Sequence, residues 1–205
     1  MKLHTSIGPN PRMVNMFAAE KGLVLNRVNV DIIAGENRHQ PFLSLNPAGS
    51  TPVLELDDGT ALAETVAICE YLEERYPEPV LIGATSRARA MTRMWTRRVD
   101  YMVVQPMTAG FRGAEGLPLF KDRVRCLPQA ADDLKLTAKE GLQWLEQQMG
   151  ERQYIAGDAV SMADILLFSF VEFGALVGQA FDRDNRRLAA WHERMASRPS
   201  AAATA

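Results

Sequence analysis

The spacing of hydrophobic positions divides the chain near residue 80. Before that point, short apolar stretches suited to strands alternate with helical stripes. Residues 3–7 are short enough for a strand, Val14 and Phe17 recur at helical spacing, and Val28 and Val30 alternate with polar neighbours. The order strand, helix, strand is typical of a parallel βαβ unit.

A hairpin signal follows the βαβ pattern. Asp58-Gly59 lies between the apolar stretches 53–56 and 60–63, which predicts two antiparallel strands. A helix is then expected from about Thr65, and Pro77 ends it. The first region is therefore predicted to be βαβ-ββα, a small mixed sheet with helices packed against it.

After Gly83 only helical periodicity remains. One stripe runs from Met91 to Met102, and a last one from Leu188 to Met195. Between them a long stripe from Val124 to Met149 predicts a helix whose one point of irregularity would be Pro128. Ser161-Met162-Ala163-Asp164 has the spacing of a capping box before an apolar helix. The chain is therefore predicted to have a domain at residues 1–79, a linker at about 80–86 and an all-α domain at 87–205. The Ala/Ser/Thr tail from Ser200 is predicted to fray.

Composition narrows the class of protein. With 47% hydrophobic and 23% charged residues, the chain is expected to be globular, and its net charge of −2 argues against a nucleic-acid partner. Two cysteines cannot form a disulfide scaffold, and His4, His39 and His192 lie too far apart in sequence to predict a metal site. No apolar run approaches the roughly 20 residues of a membrane span, and the start lacks a signal-peptide pattern. These features predict a cytoplasmic protein that does not enter membranes.

Candidate binding chemistry is concentrated between Asn46 and Thr65. Pro52 begins a strand, where its missing N–H is tolerated, so Thr51 could offer its backbone N–H and C=O to an extended ligand. Glu64 and Thr65 stand at a helix start, whose free N–H groups favour a carboxylate, and Glu64 could accept from an ammonium group. An extended zwitterionic peptide fits this pattern. A plain turn, hairpin and helix cap fit the same residues.

Several segments resemble the cytosolic glutathione transferase superfamily. They are Ala19 to Leu23, Leu45 to Leu54, Asp58-Gly59, Glu64 to Leu72 and Ile155 to Asp164. The resemblance spans most of the chain. It implies a thioredoxin-like N-terminal domain followed by an all-helical C-terminal domain, usually in a homodimer.

The same resemblance implies roles for individual residues. Pro52 matches the family's cis-proline, and Thr51 matches the residue that pairs with the cysteinyl backbone of glutathione. Glu64 and Thr65 match the pair that holds the γ-glutamyl group. Two weaker matches are Asn37, in the loop 36–40 that would contact the glycyl end, and Ser50, which replaces the usual polar or basic contact.

The catalytic turn departs from the family pattern. The position of the family's catalytic serine or cysteine falls on Gly8, and no tyrosine lies nearby. Asn10 is then the nearest side-chain donor at the start of the first helix, with Ser6 as the alternative. The Pro-Asn sequence here is similar to nu-type transferases, which use Thr or Asn with backbone amides and reduce disulfides well.

These matches predict a glutathione-dependent enzyme active in detoxification. It would conjugate glutathione, its co-substrate, to hydrophobic electrophiles, or reduce small disulfides, without a metal. A non-catalytic glutathione-binding or interaction protein of the same fold is the alternative, because Gly8 occupies the catalytic position. A homodimer is expected through the helices beginning near Thr65 and Arg87, with Asp100 of the partner near the γ-glutamyl ammonium.

Overall fold

The computed structural model describes residues 1–204, which divide into two compact units. The first comprises residues 1–81 together with 199–204, and the second comprises residues 82–198. The last residues of the chain therefore belong to the unit that contains its beginning.

A mixed sheet forms the centre of the first unit. Within residues 1–204, four strands, β1 (Lys2–Thr5), β2 (Asn26–Asn29), β3 (Val53–Glu55) and β4 (Ala61–Leu62), form one sheet in the order β2-β1-β3-β4. β1 is parallel to β2 and antiparallel to β3, and β3 pairs with β4 across the predicted hairpin. This is the thioredoxin-like βαβ-ββα arrangement that the sequence predicts.

Helices α1 (Pro9–Glu20) and α3 (Thr65–Arg75) accompany this sheet, and the short α2 (Phe42–Leu45) lies in the connection between β2 and β3. Leu3, Phe17 and Leu72 are fully buried in the unit. These side chains belong to the apolar faces of β1, α1 and α3, and those faces are the ones that are buried in the unit.

A buried ion pair ties α1 to the end of α3. Lys21 Nζ lies 2.7 Å from Glu73 Oε2 and also donates to the carbonyls of Tyr76 and Pro79 at 2.7 and 2.8 Å. Glu73 in turn accepts from the Leu81 N–H at 3.0 Å. Because each charge has several partners, the pair is tolerated in the interior and anchors the segment leaving α3.

The second unit is helical. Its helices are α4 (Ser86–Val99), α5 (Gln105–Gly113), α6 (Leu117–Phe120), α7 (Ala131–Met149), α8 (Met162–Leu176) and α9 (Arg186–Ala196), with a π-helical segment Asp100–Val104 between α4 and α5. From Met162 to Val171 every residue of α8 is buried, which makes α8 the central helix of this unit.

Three sequence expectations are corrected. The strand predicted around Val28 and Val30 begins earlier, at Asn26, and ends at Asn29. The helix predicted from Val124 begins at Ala131, because Pro128 disfavours helical geometry at Leu127, where φ is −124° and ψ is 73°. The tail does not fray from Ser200: α10 (Pro199–Ala202) is helical, and Ser200 and Ala201 are buried.

Within the described residues, 1–204, no helix combines the length and hydropathy needed to cross a membrane.

Candidate functional site

The N-terminus of α1 offers few hydrogen-bond donors. Pro9 and Pro11 have no N–H, and the Arg12 N–H already donates to the Gly8 carbonyl at 3.1 Å. The backbone donors of the first turn are therefore the N–H groups of Gly8 and Asn10.

Gly8 adopts a backbone conformation that a side chain would disfavour. Its φ is 115° and its ψ is 171°, while a Cβ built there would meet no heavy atom within 4 Å. Conformation and not space therefore explains the glycine at the position where the family pattern has a serine.

Ser6 is placed by the register of the sheet. His4 pairs with Val53 across β1 and β3, and continuing that register by two residues sets Ser6 opposite Thr51. The Ser6 and Thr51 hydroxyls accordingly lie 2.5 Å apart, and Ser6 Oγ also donates to the Ile7 carbonyl at 3.2 Å. The single O–H of Ser6 is therefore engaged within the protein.

Asn10 differs from Ser6 in the hydrogen bonding of its side chain. Its side chain is half-buried, and within residues 1–204 no hydrogen bond uses its amide group. The Asn10 amide thus remains available as a donor at the positive end of the α1 dipole.

The loop before β3 is held by two buried asparagines. Asn37 Nδ2 donates to the Gly49 carbonyl at 2.6 Å, and Asn46 Nδ2 donates to the Ser50 carbonyl at 2.8 Å and to Ser50 Oγ at 3.0 Å. Gly49 has a φ of 62°, and a Cβ there would lie 2.9 Å from the backbone carbonyl oxygen of Asn37. Only glycine fits that contact and that backbone angle together.

These contacts set the backbone that leads into Pro52. The Thr51–Pro52 peptide bond is cis, as the family resemblance implies. Sequence reasoning gave no role to Asn46, although an Asn-Pro-x-Gly turn is the signal that identifies such a residue. Asn37 has its amide nitrogen committed to the loop, while its Oδ1 is buried without a partner in residues 1–204.

The start of α3 leaves its polar groups open. Glu64 is exposed and has a φ of 68° and a ψ of 119°, and within residues 1–204 no side-chain hydrogen bond involves Glu64 or Thr65. The Ile68 N–H donates to the Glu64 carbonyl at 3.0 Å, so the N–H groups of residues 65–67 precede the helical ladder. Unpaired donors and a strained polar residue at one turn are typical of a ligand site.

Asp100 lies in the second unit, in the π-helical segment. Its carboxylate accepts from Arg97 Nη1 at 2.6 Å and from Gln105 Nε2 at 3.0 Å. These two bonds hold the carboxylate within its own chain.

A reactive cysteine and a metal ion would each give another kind of functional site. Burial raises the pKa of the Cys69 thiol far above its usual range, which makes a thiolate nucleophile unavailable there. Among residues 1–204, no group of three or more His, Cys, Asp or Glu side chains is placed to hold a metal ion.

Comparison with known proteins agrees with the fold of both units. Residues 7–75 match the glutathione S-transferase N-terminal domain, and residues 121–199 match the glutathione S-transferase C-terminal domain. Glutathione S-transferase 2 of Saccharomyces cerevisiae is 34% identical over 203 residues, which cover 96% of this chain and 85% of the yeast protein.

Solved structures give the same result. The crystal structure of Gtt2 from Saccharomyces cerevisiae superposes with a TM-score of 0.92 at 30% identity, covering 100% of both chains. A glutathione S-transferase domain-containing protein of Marinobacter aquaeolei VT8 superposes with a TM-score of 0.90 at 33% identity, covering 98% of this chain and 100% of that one. The chain therefore belongs to the glutathione S-transferase family.

Proposed function

We propose that this protein is a glutathione-dependent transferase that conjugates glutathione to hydrophobic electrophiles or reduces small disulfides. Family membership supports the use of glutathione. The observation that carries the catalytic assignment is the amide of Asn10, which is free of internal hydrogen bonds among residues 1–204 and stands at the first turn of α1.

The two ends of glutathione would be held by different elements of the first unit. The γ-glutamyl carboxylate would accept from the N–H groups at the start of α3 and from Thr65, and the ammonium group would donate to Glu64. The cysteinyl backbone would pair with Thr51, next to Pro52, while Ser50 and Asn37 would stand toward the glycyl end.

The thiol needs activation because a free cysteine thiol has a pKa of about 8.5 and is mostly protonated at neutral pH. An anion beside the first turn of α1 is stabilised by the helix dipole and by N–H donors. Since Pro9 and Pro11 remove two backbone donors, the side-chain amide of Asn10 takes a larger share of this role. Ser6 contributes less, because its hydroxyl proton is engaged with Ile7 or Thr51.

Both reactions then follow from the thiolate. In conjugation, the sulfur attacks an electrophilic carbon and the leaving group departs with its electron pair. In disulfide reduction, the sulfur attacks one sulfur of the disulfide and the other leaves as a thiolate. A second glutathione thiolate then attacks the glutathione sulfur of the mixed disulfide, which forms glutathione disulfide and releases the second thiolate.

The decisive experiment titrates the ultraviolet absorbance of the thiolate of bound glutathione in wild type, Asn10→Ala and Ser6→Ala. In Asn10→Ala we expect a raised thiol pKa and a loss of turnover that is smaller than about 10²-fold. The loss is limited because the backbone donors remain. Ser6→Ala is expected to shift the thiol pKa less. A shift in Ser6→Ala alone would transfer the role to the serine, and no shift in either would leave the backbone and helix field as the activating elements.

Turnover with chlorodinitrobenzene and with a small disulfide separates the two reactions. Binding to immobilised glutathione without turnover over a broad panel of electrophiles and disulfides would favour the non-catalytic alternative instead. The motivation for that alternative is Gly8, which supplies no side chain.

A homodimer is part of the same proposal. Asp100 of one protomer would then lie near the γ-glutamyl ammonium bound by the other. Light scattering at micromolar concentration is expected to give twice the chain mass of 22.7 kDa, and a monomeric mass would contradict the dimer.

A further inference from the structure

A cavity of about 530 Å³ lies in the helical unit. The end of α7, the turn that follows it and the first turns of α9 form its walls. Four arginines line it: Arg152, Arg186, Arg187 and Arg194. We call this cavity the arginine pocket.

The spacing of residues on α9 creates one wall of the arginine pocket. Arg186, Ala190 and Arg194 follow each other at intervals of four, so they lie on one face of the helix. The two arginine backbones are separated by about 12 Å, at 1.5 Å per residue. The small side chain of Ala190 between them leaves the space that the cavity occupies.

Part of the donor capacity of these arginines is unused. Arg194 Nη2 donates to the Gln153 carbonyl at 2.6 Å, but its Nε is buried without a hydrogen-bond partner in the described residues. Within residues 1–204, no hydrogen bond or ion pair involves the Arg186 guanidinium. Since a guanidinium has five N–H donors, Arg186 keeps all of them for an acceptor in the pocket, whereas the buried Nε of Arg194 has no surface that such an acceptor could reach.

Arg152 is more committed than the other two. Its Nε donates to the Met149 carbonyl at 3.1 Å and its Nη2 to the Gln148 carbonyl at 2.5 Å, at the end of α7. Its guanidinium carbon also lies 4.6 Å from the centroid of the Trp95 ring, so Arg152 contributes positive charge to the lining while most of its contacts are within the protein.

The carboxylates of the pocket offset part of this charge. Glu146 accepts from the N–H groups of Arg187 and Leu188 at 3.1 and 2.7 Å, and its Oε1 lies 3.8 Å from Arg187 Nη1, so Glu146 and Arg187 form an ion pair. Glu151 and Asp184 also line the cavity. The lining therefore carries four positive and three negative side chains, and its net charge is +1.

We propose that the arginine pocket binds a small phosphorylated molecule. Guanidinium groups match phosphate oxygens in a bidentate geometry. The cavity volume falls within the range of about 300–1,000 Å³ that small-molecule sites occupy.

Titration calorimetry with inorganic pyrophosphate tests the proposal. We expect saturable binding to the wild type, weakened by added salt because the contacts are charged. Arg186→Ala is expected to weaken binding about tenfold, the loss of one charged hydrogen-bonding group. The fold should be unaffected, since Arg186 has no partner to lose among residues 1–204.

Arg183→Ala is the matched control. Arg183 is an exposed arginine three positions earlier that stacks on the Phe181 ring at 5.2 Å and does not line the cavity. Its removal should leave pyrophosphate binding unchanged. Absence of saturable binding, or an equal loss in both variants, would overturn the proposal, and neither result bears on the glutathione site, whose affinity is measured separately.

Discussion

Two groups of polar residues, one in each unit, are used in opposite ways. In the helical unit, the carboxylate of Asp164 is fully buried and accepts four hydrogen bonds, from the N–H groups of Ile155 and Ser161, from the Ser161 hydroxyl and from Trp191 Nε1. In the thioredoxin-like unit, the side chains of Asn10 and Glu64 make none within residues 1–204.

The difference follows from the cost of burying a charge. Burial raises the pKa of Asp164, and the four donated bonds oppose that shift by stabilising the carboxylate. Such a group is kept inside a protein only when its partners are complete. Glu64 is exposed and carries an unfavourable backbone angle instead, so its free carboxylate is interpreted as reserved for a ligand.

The largest effect is expected from removing Asp164, which accepts all four hydrogen bonds of the buried network. Asp164→Ala leaves the donors from Ile155, Ser161 and Trp191 unpaired in the interior, which should lower the free energy of unfolding by about 3 kcal/mol or more. Denaturant unfolding measures the loss. Asp158→Ala, at an exposed position on the preceding loop, should change little, and equal stabilities of the two variants would show that the network is dispensable.

The corresponding substitution at the start of α3 should affect glutathione binding and not the stability of the fold. Glu64→Ala is expected to weaken glutathione binding more than tenfold, because hydrogen bonds to charged groups contribute about 1.5–3 kcal/mol. Calorimetry measures the affinity, and Glu74→Ala, an exposed residue near the other end of α3, is the control. An unchanged affinity in Glu64→Ala would remove this residue from the site.

A smaller effect is expected at the catalytic turn. Gly8→Ser restores the family's residue, but the φ of 115° should cost the variant about 1–2 kcal/mol of stability. Gly157→Ser is the matched control, since a Cβ at Gly157 also meets nothing within 4 Å and its φ is not in the left-handed region. Equal stabilities of the two serine variants would mean that the turn adapts to a side chain.

The smallest effect is expected from removing one of the four donors to Asp164. Ser161→Ala removes the hydroxyl donor to Asp164 Oδ2, at 2.6 Å, and should cost about 0.5–2 kcal/mol. The same substitution in the Asp164→Ala background should cost less, because its partner is already gone. Additive losses in this double-mutant cycle, measured by denaturant unfolding, would show that the two side chains are not coupled.

The elements that could be predicted from the sequence are those with local signals. The Asp58-Gly59 hairpin and the pairing of Ser161 with Asp164 depend on residues within a few positions of each other, and both are confirmed. The beginning of α7 was predicted wrongly, because an apolar stripe continues through Val124 and Leu127 although Pro128 interrupts the helix there.

Features that depend on pairing between distant segments could not be predicted. The alternation of side chains along β1 does not show which residue the Ser6 side chain contacts. Only the register of β1 with β3 shows that the Ser6 hydroxyl is hydrogen-bonded to the Thr51 hydroxyl. The Lys21–Glu73 pair, 52 positions apart, likewise has no local signal. The roles of Asn10, Thr51, Pro52, Glu64 and Thr65 in binding glutathione stay predictions.

The return of the chain to its starting unit has a consequence for synthesis. The Ser200 hydroxyl donates to the Glu20 carboxylate, and α10 packs beside α1. A fragment that stops after Leu81 therefore lacks a part of its own fold, even though it contains every strand described in residues 1–204. On the ribosome, the helical unit emerges in full before residues 199–202 become available. The unit proposed to bind glutathione is thus completed last, although its first strand is made first.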